Sequence, residues 1–348
     1  MKKKNSKSSG KLGFTLIELL VAMSILSILL LLLSQLLDQV QKTWNYSEGR
    51  VSQFREARVA FDIITKNLSQ ASLNTYWDYE YKNNLVYRYK RQSELHFLTL
   101  DGKQLSRDAG RNGGVDGDVV GKAIFFQAPL GVSNVYRNLN NLFVARGYYL
   151  VFGNDDRFKP SIIDSAETNR FRLMEYRPPA ELNQIYIDGD EERKDGRAPV
   201  YDKWYCYEMP KYSTPLAENI VGFVVAPRDT LINAGEARRN TFSRIASDYN
   251  FDSNEHTDPR FVQQVPPLVQ VTLVAIDEAS AIRLEAENQD VMPDLGIDRL
   301  FFNTGQFDED VEKLEEELSG RNISHRVFST LVSIRSSKWS TYVPSAPN

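Results

Sequence analysis

The chain has 348 residues, with 42 basic and 46 acidic side chains and a formal charge of −4. That length allows at most a couple of domains, and the mild acidity argues against a general binder of polyanions. Its single cysteine, Cys206, excludes an intramolecular disulfide, so stability must come from packing.

Residues Met1 to Leu12 carry Lys2, Lys3, Lys4, Lys7 and Lys11 and no acid. Basic flanks of this kind stay on the cytoplasmic side of a membrane, so the rest of the chain is expected to point outward. Leu19 to Leu37 contains no charged residue, and at about 1.5 Å per residue it matches a hydrocarbon core of roughly 30 Å. A secretory signal peptide has the same basic start and apolar core. However, Asp38-Gln39-Val40-Gln41-Lys42-Thr43-Trp44 lacks the pair of small residues that its peptidase reads. An ordinary uncleaved signal anchor would leave Gly13 and Glu18 as accidents.

Between leader and span stands Gly13-Phe14-Thr15-Leu16-Ile17-Glu18. A carboxylate at the mouth of a span costs roughly 2.5 to 3.5 kcal/mol on insertion scales, so Glu18 calls for a neutralising partner. Cleavage between Gly13 and Phe14 would free an α-amino group on Phe14. That amine is a cation for Glu18 of a neighbouring, axially displaced subunit.

These residues resemble the type IV pilin and type II secretion pseudopilin superfamily, whose signature is a basic leader, Gly, Phe, Thr-Leu-Ile-Glu and a leucine-rich span. The resemblance implies cleavage after Gly13 by an inner-membrane prepilin peptidase, N-methylation of Phe14, and Glu18 as the residue that registers subunits in a filament. It implies a basic leader at 1–13, a long helix at 14–73 with its transmembrane part at 17–37, and a periplasmic β-rich head at 74–348. The expected partners are the peptidase, other pilin-like subunits and the inner membrane. No nucleic acid, small-molecule substrate, cofactor or metal is expected, and the role is structural, without catalysis; the alternative is an adhesion or DNA-uptake pseudopilin whose head binds a surface or polymer. Loss of the five leader lysines leaves 37 basic against 46 acidic side chains and a formal charge of −9.

Past the span, Val40, Trp44, Val51, Phe54, Phe61, Ile64 and Leu68 recur at helical spacing on one face. Charged residues such as Glu48, Arg55, Asp62 and Lys66 flank them, the pattern of a helix half buried and half wetted. No proline precedes Pro129, so one unbroken helix from Phe14 to about Leu73, roughly 90 Å long, is predicted. The stripe drifts from strict heptads and carries aromatics, which favours packing on the chain's own head over a coiled coil.

Short β-rich runs follow at Leu85 to Tyr89, Glu94 to Leu100, Ala123 to Ala128, Gly147 to Phe152 and Arg170 to Tyr176. A second set comprises Asn219 to Ala226, Leu268 to Ile276 and Val327 to Arg335, with helical patterns near Ala279 to Glu287 and Asp308 to Leu318. The whole reads as α+β and pilin-like, a long N-terminal transmembrane helix packed on a mostly antiparallel β-sheet head with large loop insertions. The insertions are expected around Asp101 to Val119, Gly153 to Asn169, Asn183 to Tyr205 and Asp229 to Gln264.

Within the head, Glu94-Leu95-His96-Phe97, Tyr148-Tyr149-Leu150 with Leu173 and Arg177, Leu216 to Phe223 and Pro266 to Leu273 resemble, in that order, the strings of J-type minor pseudopilins. Phe125 to Gly131, Pro266 to Ser280 and Phe328 to Trp339 look like protein C of the Verru_Chthon cassette, a long prepilin-type family.

Asp116-Gly117-Asp118 and Asp188-Gly189-Asp190-Glu191-Glu192 offer oxygen ligands of the kind calcium takes, but neither completes a calcium loop and both read as solvated turns. Gly110-Arg111-Asn112-Gly113-Gly114 lacks the Gly-Lys-Ser/Thr ending of a phosphate loop. His96, His256 and His325 lie far apart without metal-ligand spacing. The acid-rich run Asp308 to Leu318 places Val311, Leu314 and Leu318 on one face, as a docked surface helix would. Tyr76-Trp77-Asp78-Tyr79-Glu80-Tyr81 is aromatic but interleaved with acids, which argues against a stacking platform for single-stranded nucleic acid. Its aromatics are expected to close the junction between helix and sheet.

Overall fold

The computed structural model describes residues 16–110, 113–131, 133, 135, 141–158, 168–185, 204–230, 245–256, 258, 261–288 and 291–338. Helix α1 runs Leu16–Leu68, and the chain divides into two compact units at Ser52 and Gln53.

In the second unit, α1 ends on a buried face of Ala57, Ala60, Phe61, Ile64 and Leu68, the stripe that the helical spacing of Phe61, Ile64 and Leu68 implies. The helix stops five residues before the sequence-based boundary. Ser69, Gln70 and Ala71 turn back onto Thr65, Asn67 and Leu68 carbonyls, and the Ser72 N–H donates to the Gln127 carbonyl of the sheet.

Strands β1 (Tyr76–Lys82) and β2 (Leu85–Gln92) follow, then β3 (Leu98–Asp101), α2 (Gly102–Ala109), β4 (Asp118–Ala128), β5 (Val144–Gly153) and β6 (Arg170–Tyr176). After these come β7 (Ser213–Glu218), β8 (Ile220–Arg228), the two-residue β9 (Phe251–Asp252), β10 (Leu268–Ile276), α3 (Glu278–Asn288), α4 (Phe307–Gly320) and β11 (His325–Ser333). A six-stranded sheet has the order β7-β6-β5-β4-β3-β9, a three-stranded sheet the order β11-β10-β8, and β1-β2 stands as its own pair. Every pairing among the described residues is antiparallel. An apolar N-terminal helix followed by a mostly antiparallel head is the mixed α+β class expected, consistent with a pilin-like fold.

The central sheet is covered on both faces at its middle, so β5 is buried along nearly its whole length rather than in alternation. On β5, Tyr148, Leu150 and Phe152 join one core with the end of α1 and the three-stranded sheet. Tyr149 and Val151 join a second with Leu105 and Ala109 of α2, Phe125 and Trp204. Leu150 and Leu173 are direct cross-strand partners.

Four local expectations need correction. Asp101 to Val119 is not a plain loop: α2 lies within it, because Leu105 and Ala109 are fully buried and Asp101 caps the helix by accepting from the Lys103 N–H at 3.0 Å. Residues Glu94 to Phe97 are irregular, since the Asn74 side chain takes the Glu94 and Leu95 N–H groups at 2.9 and 3.1 Å. β7 has no counterpart in the expected strands. Tyr76 to Tyr81 does not close the helix–sheet junction, for Tyr76, Trp77, Tyr79 and Tyr81 are 43, 50, 45 and 64% exposed on β1.

Gly147 of β5 stands opposite Phe125 of β4, and a Cβ on Gly147 would overlap the Phe125 ring. That ring cannot retreat, because Tyr149, Tyr176, Trp204 and Tyr205 surround it at centroid distances of 5.3 to 6.5 Å. Gly147→Ala is expected to cost about 1–3 kcal/mol of stability through overpacking, measured by denaturant unfolding.

Candidate functional site

Glu18 sits in the first turn of α1, where the unsatisfied N–H groups and the helix dipole favour negative charge. Position 18 therefore suits an acid for local reasons as well as for any partner it takes. Gly13 and Phe14 lie outside the described residues.

Behind Glu18, Leu16–Leu37 is a 22-residue stretch of mean hydropathy 2.8 with none of its side chains buried by the protein itself. Leucine and isoleucine need no explanation in such a stretch; serine does. Ser24 Oγ donates to the Leu20 and Val21 carbonyls at 2.9 Å, and Ser27 Oγ to the Met23 carbonyl at 2.8 Å. Both hydroxyls are satisfied inside the helix, so the stretch presents no unmet polar group from these two residues to an apolar environment. By length and composition the helix is able to cross a membrane.

In the head, Asp116, read from the sequence as part of a solvated turn, forms an ion pair with Arg157, and Gly117 adopts φ 109° against the Phe152 backbone. The run Asp188 to Glu192 lies outside the described residues, as do Arg111 and Asn112 of the glycine-rich run. Among the described residues no group of three His, Cys, Asp or Glu side chains converges to hold a metal ion. On α4, Leu314 and Leu318 are fully buried, and Asp310 faces inward to accept from the Phe301 N–H at 3.0 Å.

The structure also brings together groups that linear spacing conceals. His96 and Asp252, 156 residues apart, meet at 2.7 Å. The indole Nε1–H of Trp204 donates to His96 Nδ1 at 2.9 Å. Indole is a donor only, so His96 Nδ1 accepts and the Nε2–H donates to the Asp252 carboxylate. In a hydrolytic relay the place of Trp204 would belong to a nucleophile. Here the three side chains fasten the start of β3, the β9 edge and the Trp204 segment. Burial pushes the Asp252 carboxyl up. The hydrogen bond from His96, with those from the Asn254 and Glu255 N–H groups, outweighs burial and holds it below the usual carboxylate range. A second buried link joins Lys122 Nζ to Asp101 at 3.1 Å. A third carries Asn67 of α1 to the Tyr148 hydroxyl at 2.8 Å, and that hydroxyl on to Glu175 at 3.0 Å.

The family model described as the prokaryotic N-terminal methylation motif matches residues 8–34, which contain Gly13, Phe14, Glu18 and most of the apolar stretch. The match supports a type IV pilin-like protein, a pilin-type precursor of the kind processed by prepilin peptidase and assembled with pilin subunits. The apolar helix fits membrane anchoring of such a precursor. No curated protein is similar enough to the chain to be compared with it.

Because the folded carboxyl of Asp252 is lowered, its contribution is present above the ordinary carboxylate range and is lost as the pH falls through the folded value. Asp252→Asn should therefore be less stable than the wild type at pH 7 by roughly 1 kcal/mol, the low end for a charge-assisted bond with a part-exposed carboxylate. The difference should close below about pH 4, as urea unfolding across pH would read directly.

Proposed function

We propose that this protein is a minor pilin-like subunit of the J type, allied to the Verru_Chthon cassette C proteins, and built into a type II secretion or type IV pilus-like filament. The precursor is a single-pass inner-membrane protein with its N-terminus in the cytoplasm and its head in the periplasm. Prepilin peptidase cuts after Gly13 and methylates Phe14. The mature subunit then leaves the bilayer for a filament core. Its work is assembly, with no chemical turnover.

The observation that carries this reading is the methylation motif at residues 8–34 running into an apolar helix whose side chains are not buried among the described residues. Lipid covers that surface before assembly, and the helices of neighbouring subunits cover it afterwards. Apolar packing is indifferent to axial sliding, whereas a charge pair is not. The carboxylate of Glu18 and the new α-amino group of Phe14 on an adjacent copy supply one axial register, in a medium of low dielectric constant where the pair is strong. The order and content of the head strands, including Leu150 beside Leu173 and β10 at Leu268–Ile276, support the J-type assignment.

Two substitutions separate processing from assembly. Gly13→Ala should leave uncut precursor that retains all five leader lysines, read by mass spectrometry of the membrane fraction. Glu18→Ala should be cut and inserted normally yet fall at least about tenfold in recovery with sheared filaments, as loss of a buried charge pair of about 1.4 kcal/mol or more requires. Normal filament recovery for both variants would remove the mechanism.

A further inference from the structure

A strand at the edge of a sheet offers unpaired N–H and C=O groups to another chain, and proteins blunt such edges with charge, proline, brevity or cover. Among the described residues, the edges of the head are blunted in these ways except at β11. In the ribbon of β1 and β2, which hydrogen-bonds to neither larger sheet, the strands carry charge on one face. Asp78 and Glu80 lie on β1, Arg88 and Lys90 on β2. Two copies joined along β1 with their faces aligned would set acid against acid, and along β2 cation against cation, both unfavourable. β7 has Pro215, β9 is two residues long, and β8 is buried along its whole length.

β11 lies at the edge of the three-stranded sheet, beside β10. Its sequence, His325-Arg326-Val327-Phe328-Ser329-Thr330-Leu331-Val332-Ser333, holds no proline, glycine, lysine or acid. All nine residues pair with β10 without a bulge. In an antiparallel ladder one neighbour takes the N–H and C=O groups of every second residue, so the other groups of β11 point outward. Ser329, Thr330, Leu331 and Ser333 are exposed, Leu331 by 39%.

The strand is also self-complementary. Val327, Ser329 and Leu331 share one face and read aliphatic, hydroxyl, aliphatic in either direction. Turned about a two-fold axis through Ser329, a second copy sets Val327 against Leu331, Ser329 against Ser329 and Phe328 against Thr330. The Ser329 hydroxyl already bonds to that of Thr272 at 2.7 Å, and hydroxyl pairs across strands are favourable. Arg326 would face Val332 of the other copy. The two arginines then stand roughly 20 Å apart along the ladder, about twice the screening length at 0.1 M salt.

We infer that β11 is an interface between two copies of this chain, joined as antiparallel edge strands about Ser329 into a continuous sheet of order β8-β10-β11-β11-β10-β8. An isologous contact of this kind closes on itself and ends at two copies. The inference concerns the head alone and stands whether or not the subunit enters a filament.

The test is sedimentation equilibrium of the full-length chain in detergent micelles, which should show a concentration-dependent dimer. Ser329→Lys and Ser329→Glu each set like charges against each other and should raise the dimer Kd by about tenfold or more. An equimolar mixture of the two variants should recover the dimer, because lysine then meets glutamate. Ser329→Cys should give a disulfide-linked dimer on oxidation, since directly opposed residues lie within disulfide reach, whereas Tyr79→Cys on β1 should not. The native Cys206 is buried and contributes no background. Thermal unfolding of each variant shows whether the head is intact, and the cysteine cross-link does not depend on the head tolerating a charge at 329. A chain monomeric at every concentration, a dimer indifferent to both charges at position 329 and therefore held by another surface such as the apolar helix, a mixture that fails to recover, or equal cross-linking at positions 79 and 329 would each overturn the inference.

Discussion

The governing constraint is the apolar surface of the first half of α1. Leucine, isoleucine, valine and methionine side chains from Leu16 to Leu37 are exposed by about half or more. Covering one such side chain is worth about 1.5–3 kcal/mol. Summed along the helix, the gain is tens of kcal/mol, several times the 5–15 kcal/mol that typically separates a folded domain from its unfolded state. A term of that size fits membrane anchoring of the helix. Glu18, Ser24, Ser27, Ser34 and Gln35 are the polar exceptions. Ser24 and Ser27 are answered by the helix backbone, and Glu18 in the first turn is the one charged side chain in the sequence of this stretch.

The same helix meets a different demand further on. From Ala57 to Leu68 it needs only one apolar face, because the sheet receives that face and solvent the rest. Small residues at Ala57 and Ala60 allow close approach, and Phe61 reaches a strand residue, Phe328, at a centroid distance of 5.9 Å. Asn67 adds a polar tie through the Tyr148 hydroxyl to Glu175. Sequence composition changes along α1 from uniformly apolar to striped because the medium changes from one that surrounds the helix to one that touches a single side.

This distinction also explains what could be read from the residues alone. The apolar span, the buried stripe of α1, and the strands at Arg170–Tyr176 and Leu268–Ile276 are long or strongly patterned, and their patterns are local. α2 was missed because it is short and hydrophilic: only Leu105 and Ala109, with the Asp101 cap, mark it. β7 carries a proline at Pro215, tolerable because it is the edge strand of its sheet. The joining of His96 with Asp252 and Trp204 has no local signature, since it depends on how β3, β9 and the segment before β7 are brought together. Only its ingredients are visible: a solitary histidine and a solitary tryptophan in strand-rich sequence.

The ribbon shows what periodicity adds to composition. Acid-interleaved aromatics look unsuited to a charged polymer if the segment is treated as a string, because each ring then has a carboxylate beside it. In a strand, neighbours in sequence are on opposite faces, and residues two apart are the true neighbours. Trp77, Tyr79 and Tyr81 are therefore companions, while Asp78 and Glu80 belong with Arg88 and Lys90. Interleaving thus neutralises one face and leaves the other aromatic, with Arg91 above Trp77. The same alternation gathers the exposed rings of the hairpin on a single side.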